Sequence, residues 1–142
     1  MLKQFLFGFA FAAMALVAVP SSHAANSGAA AQTTDIHGIK VTVTPPDFAK
    51  PAQNWEFAVA LETHTRDLGD ELVKVSTLVA DGKRYTPIEW KGAAPGGHHR
   101  KGSLHFKAVS PQPSAVELQI HLSGEAVPRS FRWILKGTGN GK

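Results

Sequence analysis

Apolar residues recur at every second position through most of this chain. Ile39, Val41 and Val43 alternate with Lys40 and Thr42, and Pro45-Pro46 closes the run. Trp55, Phe57, Val59 and Leu61 then stand on one face of a segment whose other face is Glu56, Ala58, Ala60 and Glu62. Large apolar side chains at i, i+2, i+4 and i+6 describe a strand with one buried face, because successive strand side chains point to opposite sides; a helix would group them at three- and four-residue spacing. Leu72 to Val79, β-branched and apolar, reads as a further strand, and Asp81-Gly82 marks a tight hairpin turn into another over Arg84–Trp90. Leu104 and Phe106 alternate with His105 and Lys107 before Ser110 to Pro113 breaks the chain. Val116, Leu118, Ile120 and Leu122 alternate with Glu117, Gln119 and His121, and after a turn at Ser123-Gly124 a last strand presents Phe131, Trp133 and Leu135.

Such short strands, about seven of them with no helix between, predict an all-β fold: an immunoglobulin-like, two-sheet antiparallel sandwich. A small closed barrel is the alternative. The Cys…Trp…Cys signature of antibody domains is missing, so the likeness is one of architecture. Trp55, Trp90 and Trp133 are the expected core fillers.

The ends of the chain add an address. Lys3, an apolar run from Phe5 to Val19 and the small-residue site Ser22-x-Ala24 have the order of a secretory signal peptide, 1–24, cleaved after Ala24. A run of about 15 apolar residues is short for a membrane span, which takes roughly 20; an uncleaved anchor helix is the competing interpretation. Residues 25–34 have tail composition, 35–136 form the β-sandwich domain, and 137–142 form a glycine-rich C-terminal tail. No cysteine is present, which excludes a lipid-anchored cysteine and a disulfide framework, and both methionines lie in the leader. The net charge of +4 is mild and scattered along the chain. It describes a solvated surface and argues against a nucleic-acid partner. No membrane span is expected once the leader is removed.

Chemistry concentrates in Gly96-Gly97-His98-His99-Arg100-Lys101-Gly102, a run whose composition is that of a solvent-exposed loop. Without sulfur ligands a metal would have to be held by imidazole, carboxylate, backbone or water; this argues against blue copper and Cu(I) and leaves Cu(II), Zn(II) or Ni(II). Adjacent residues of a strand face opposite ways, so His98 and His99 share an ion only if Gly96-Gly97 turns the pair through positive φ. His64 follows the Trp55–Leu61 strand in Glu62-Thr63-His64-Thr65-Arg66-Asp67, and parity places it on the face of Glu62. The expected metal set is therefore His64, His98 and His99, with Glu62 and Asp67 in support and Asp70 nearby. Simple solvent exposure of the histidines is the competing interpretation, and an anion or partner contact through Arg100 and Lys101 is a third. His105 and His121 lie on polar strand faces and are expected to be structural, and nothing singles out His37. Glu62, Asp67, Asp70 and Glu71 suit a charged turn around Arg66 better than a catalytic carboxylate pair. Neither H-E-x-x-H nor G-x-S-x-G occurs, and no catalytic residues are assigned.

The pattern Trp55-x-Phe57-x-Val59-x-Leu61-x-Thr63-His64-Thr65-x-Asp67-Leu68, followed by Trp90 and by Gly96-Gly97-His98-His99-Arg100-x-Gly102-x-Leu104-x-Phe106, resembles a family of small, largely uncharacterised exported bacterial β-sandwich domains. The resemblance spans roughly Ile39 to Trp133. It implies that the His64 and His98–Arg100 segments belong together and supplies no activity. Immunoglobulin-fold iron sites of the superoxide-reductase kind need a cysteine ligand and are set aside. The functional expectation is an exported, periplasmic or secreted, binding or accessory module that takes Cu(II) or Zn(II) through surface histidines. The alternative is a metal-free structural or protein-interaction module whose partner is an envelope protein.

Overall fold

The structure, a computed structural model, describes residues 29–135. The signal peptide expected at 1–24 and the tail expected at 137–142 lie outside the described residues. In chain order the elements are β1 (Gln32–Ile36), β2 (Ile39–Thr44), β3 (Asn54–Thr63), a single helical turn α1 (Leu72–Val75), β4 (Ser76–Ala80), β5 (Lys83–Tyr85), β6 (Glu89–Gly92), β7 (His99–Lys107), β8 (Ala115–Ile120) and β9 (Arg129–Ile134). One open sheet runs β1-β2-β3-β7-β6 and the other β5-β4-β8-β9, with antiparallel neighbours throughout. Apart from β1, these orders correspond to A-B-E-D and C′-C-F-G of an immunoglobulin sandwich. The barrel alternative is therefore excluded.

The alternating residues meet between the sheets. Val41, Val43, Phe57, Leu104 and Phe106 face Leu78, Leu118, Ile120 and Phe131, all with no measurable exposure. Phe57 stands edge-on to Phe106 and packs against Trp133, each with ring centroids 5.7 Å apart. Trp55 and Trp133 are buried core residues as expected, at 5% and 4% exposure. Trp90 meets the expectation only in part, packing against the core from its margin. It lies half-buried on the edge strand β6, with its indole N–H donating to the Ala93 carbonyl at 2.9 Å.

Four expectations about the elements need correction. Gln32, Thr33 and Thr34, assigned by composition to a tail, form most of β1. This strand carries little apolar surface and is held by polar contacts instead. It pairs with β2 along its length. Its other side meets β9: the Gln32 side-chain amide donates to the Arg132 carbonyl at 2.6 Å and accepts from the Arg132 N–H at 3.2 Å, and the Trp133 indole donates to the Ala30 carbonyl at 2.7 Å. The hairpin turn is His37-Gly38, both at positive φ (51° and 74°), the left-handed pair that a two-residue turn requires. Asp81-Gly82 does the same for β4 and β5, as its sequence predicts.

The second correction is that Leu72–Val79 begins as the helical turn α1, so only its later residues are strand. Third, Arg84–Trp90 is not one strand. Pro87 lacks the N–H a ladder needs, and around it the chain leaves β5 in one sheet for β6 in the other. Fourth, His99 to Gly102 are strand, the first residues of β7.

Gly102 pairs with Gly92 across β6 and β7. A Cβ at Gly102 would sit 2.6 Å from Trp90 Cζ2 and 2.7 Å from the Gly92 Cα, and closer still to the Lys91 carbonyl oxygen. Backbone cannot yield as a flexible side chain can. Gly102→Ala is thus expected to cost about 1–3 kcal/mol as overpacking, measurable as a lowered urea midpoint with an unchanged slope.

Candidate functional site

The end of the sandwich where β3 stops and β7 starts gathers the histidine segments. The Thr63 N–H donates to the His98 carbonyl at 3.0 Å, Leu68 N–H to the Gly97 carbonyl at 2.9 Å, and Gly96 N–H to the Leu68 carbonyl at 2.9 Å. Gly96 and Gly97 both hold positive φ, 114° and 75°, and lead the chain into β7. Register places His99 opposite Glu62, and His64 lies two residues beyond Glu62. The His64 and His99 rings consequently meet, with centroids 6.4 Å apart and planes at 81°. Both side chains are exposed.

Glu62 carries the negative charge of this patch and is held by Lys40 at 2.7 Å across β2 and β3. The hydrogen bond from Lys40, then its charge, lowers the Glu62 pKa, with smaller contributions in the same direction from His99 and Lys101. The same hydrogen bond and charge raise that of Lys40. Because the Glu62 carboxylate titrates lower in the fold than in the unfolded chain, its contribution is present above the ordinary carboxylate range and is lost as pH falls through the depressed value. Both groups are open to solvent, so the contribution is small and screened by salt. Lys40→Met is expected to move the Glu62 titration back up toward its ordinary value, read by NMR of the side-chain carboxyl.

The remaining expected ligands are placed otherwise. Asp67 accepts the Gly97 N–H at 2.7 Å and so braces the glycine turn. His98 is exposed and joins the cluster through its backbone carbonyl. Among the described residues, no three His, Asp or Glu side chains group closely enough to hold an ion. His64, His98, His99, Glu62 and Asp67 therefore do not form one ligand shell; what assembles is the His64–His99 pair, with Glu62 opposite His99.

Arg100 overturns the loop assignment. It is 2% exposed, among the largest fully buried side chains of the domain. Its Nη1 donates to the carbonyls of Leu68 (3.0 Å) and Asp70 (2.6 Å), its Nη2 donates to Ala93 (3.3 Å), and the guanidinium lies 5.8 Å from the Trp90 ring centre. Burial pushes its pKa down and the charges of Asp70 and Asp67 push back; a guanidinium stays protonated in this setting. Arg100 is thus a strut rather than a contact for an anion or partner, whereas Lys101 is exposed. The signal was available in the sequence: residue 100 has the parity of Leu104 and Phe106.

Arg129, which composition does not single out, has the parity of Phe131 and Trp133 and does the same for the β1–β2 hairpin. Its side chain is wholly buried and ion-paired with Glu125, and it donates to the carbonyls of Ile39 (2.7 Å) and Ile36 (3.0 Å) and to Thr34 Oγ1 (3.1 Å). Two buried guanidinium groups thereby fasten the loops at the end of the sandwich that carries the histidines.

His105 is structural, though buried at 4% exposure on the outer face. Its Nε2 lies 2.8 Å from Ser103 Oγ, and its Nδ1 lies 3.7 Å from Glu56 and 3.9 Å from Glu89. The residue types are those of a nucleophile–base–acid relay, but the carboxylates are beyond hydrogen-bond reach. β7 is paired on both sides, which leaves its ladder N–H groups engaged and unable to receive an oxyanion.

Sequence patterning left the far end of the sandwich unassigned. There the Pro45–Gln53 and Ala108–Gln112 connections enclose an open cleft of about 780 Å³. Its apolar wall includes Phe48, Val109 and Ile88, and Lys50 and Lys107 are its charged groups. Phe48 stands edge-on to Trp55 at 5.1 Å, so the wall is continuous with the core. The only sequence cue is a cluster of breakers, Pro45-Pro46, Pro51 and Ser110 to Pro113, which marks loops and not the space between them.

No protein-family model and no curated protein matches this chain. Among solved structures it is similar to the secreted protein MPT63 of Mycobacterium tuberculosis, with 15% sequence identity, a TM-score of 0.43, and coverage of 75% of this chain and 92% of that chain. No helix among the described residues is long and apolar enough to cross a membrane.

Proposed function

We propose that this chain is an exported binding or accessory module, which binds rather than transforms its ligand, and that its histidine end takes Cu(II) or Zn(II) through His64 and His99. Export rests on the order of charge, apolar run and small-residue site in residues 1–24. The observation that carries the metal reading is the meeting of two imidazoles from separate segments, 6.4 Å between centroids. With metal–nitrogen bonds of about 2.0–2.1 Å, two rings sharing an ion stand on the order of 5–6 Å apart, a distance that small rotations of two exposed side chains supply. Glu62 stands opposite His99 but is engaged with Lys40, so water or a second molecule completes the coordination. Such an open site binds more weakly than a closed one, and it favours Cu(II) over Zn(II).

Titration of the tag-free protein with Cu(II) and Zn(II) tests this. Wild type is expected to bind one equivalent of Cu(II) with loss of affinity in His64→Ala and in His99→Ala, and little change in His98→Ala. Equal binding by wild type and the His64→Ala/His99→Ala double variant would overturn it. The competing reading, a metal-free interaction module of the cell envelope, is favoured by the lack of a three-residue ligand group among the described residues. Capture of an envelope partner unaffected by chelator would support it.

A further inference from the structure

We propose that the cleft at the end opposite the histidines is a second binding site, which takes an amphipathic monoanion: a carboxylate on an aliphatic body. A volume of about 780 Å³ lies within the usual range for small-molecule sites, roughly 300–1,000 Å³. The lining contains two lysines and no carboxylate. Lys107 pairs with no acidic group among the described residues. Lys50 reaches Asp47 only at 3.5 Å, with its side chain 79% exposed. The charge on offer is therefore positive and concentrated on the Lys107 side.

The apolar side fixes the rest of the chemistry. Ile88 is 55% exposed at the lip of the cleft. A neighbouring recess of about 300 Å³ shares Phe48, Ala49 and Gln112 with the cleft and continues to Ile134, itself 62% exposed. Cleft and recess thus meet at Phe48, with Ile88 and the unpaired Lys107 on the cleft side and Ile134 and Leu135 on the other. Large exposed aliphatic residues beside a basic group form a surface that water serves poorly and that a fatty-acid-like molecule matches in both halves. Trp55 lines the cleft but is only 5% exposed, so little of its indole is open for stacking against a sugar. Asp47 lines the second recess and not the cleft, which orients the acid group toward Lys107 and the tail toward Ile134.

The test is titration of the ¹⁵N-labelled protein with decanoate, hexanoate, decanol and acetate, all below micelle-forming concentrations. Decanoate is expected to give saturable shifts in residues 48–54, 88 and 107–112, with affinity rising roughly fourfold per methylene from hexanoate until cleft and recess are filled. Lys50→Glu/Lys107→Glu, changed at two exposed side chains, is expected to fold normally and to weaken decanoate at least tenfold. Acetate, which carries the charge without the tail, is expected not to saturate. Absence of saturable decanoate shifts, shifts centred elsewhere, or equal binding of decanoate by the charge-reversed variant would each overturn the proposal. Tighter binding of decanol than decanoate would leave an apolar cleft without the acid specificity and would also overturn it. None of these outcomes depends on the metal-binding reading of the histidine end.

Discussion

Arg100→Ala is expected to destabilise the domain by about 3–5 kcal/mol, as seen in the urea midpoint. Three carbonyls, those of Leu68, Asp70 and Ala93, lose a charged donor together. Hydrogen bonds to charged groups contribute roughly 1.5–3 kcal/mol each; the Leu68 and Ala93 carbonyls keep a second donor, the Gly96 N–H and the Trp90 indole N–H, so among the described residues the Asp70 carbonyl is the one left without a partner. The void left by the side chain adds to this. Arg100→Lys is expected to recover only part of the loss, because one ammonium cannot address three carbonyls with the spread of a guanidinium fork. Arg100→Met, which restores volume but not donors, should resemble Arg100→Ala more than wild type. Hydrogen exchange localises the effect: the Leu68 and Gly96 amides, which bond between the two loops that Arg100 fastens, are expected to lose protection first. If the histidine end takes Cu(II) as proposed, Arg100→Lys should also bind it less well, since the loop that presents His64 is then less firmly braced against β7.

Arg129→Met is expected to have a loss of similar size, about 3–5 kcal/mol, for a different reason. It leaves the Glu125 carboxylate, whose side chain is 5% exposed, without its counter-charge, and breaking a buried pair from one side is the costly way to break it. The double variant Arg129→Met/Glu125→Leu is expected to recover much of that loss, because no lone charge remains. A double-mutant cycle from urea unfolding measures the coupling. If the single and double variants were equally unstable, the donations from Arg129 to Thr34, Ile36 and Ile39 would matter more than the ion pair. In either case β1 should loosen. Amides of residues 32–36 are expected to exchange faster in Arg129→Met, because this strand is tied to β9 largely by polar contacts.

These two residues also show where a reading of the sequence stops. Arg100 and Arg129 are charged, and single-residue chemistry puts charge in water. Each nevertheless has the strand parity of its apolar neighbours. Parity was the better guide, because backbone carbonyls from other loops supply the partners that make burial tolerable. The sequence alone does not name those carbonyls, which lie 30 to 32 residues away for Arg100 at Asp70 and Leu68, and 90 or more away for Arg129 at Ile39 and Ile36. β1 failed in the opposite sense: its composition is that of a tail, and it becomes ordered because β2 and β9 both offer it hydrogen bonds. The histidines divide in the same way. The shared parity of Glu62 and His64 is local and legible; the placing of His99 opposite Glu62 follows from the β3–β7 register.

The all-β class, the position of most strands, the inward faces and the Asp81-Gly82 turn were determined by the sequence itself. Period-two patterning and left-handed turn residues act over a few neighbouring positions, so they need no knowledge of the rest of the chain. Tertiary structure decided which strands share a sheet, that two arginines seal one end, that His64 meets His99 and not His98, and that a lysine-bearing cleft opens at the other end. Each of these depends on pairing between segments distant in sequence, where the energy of a side chain is set by the groups that the fold brings to it.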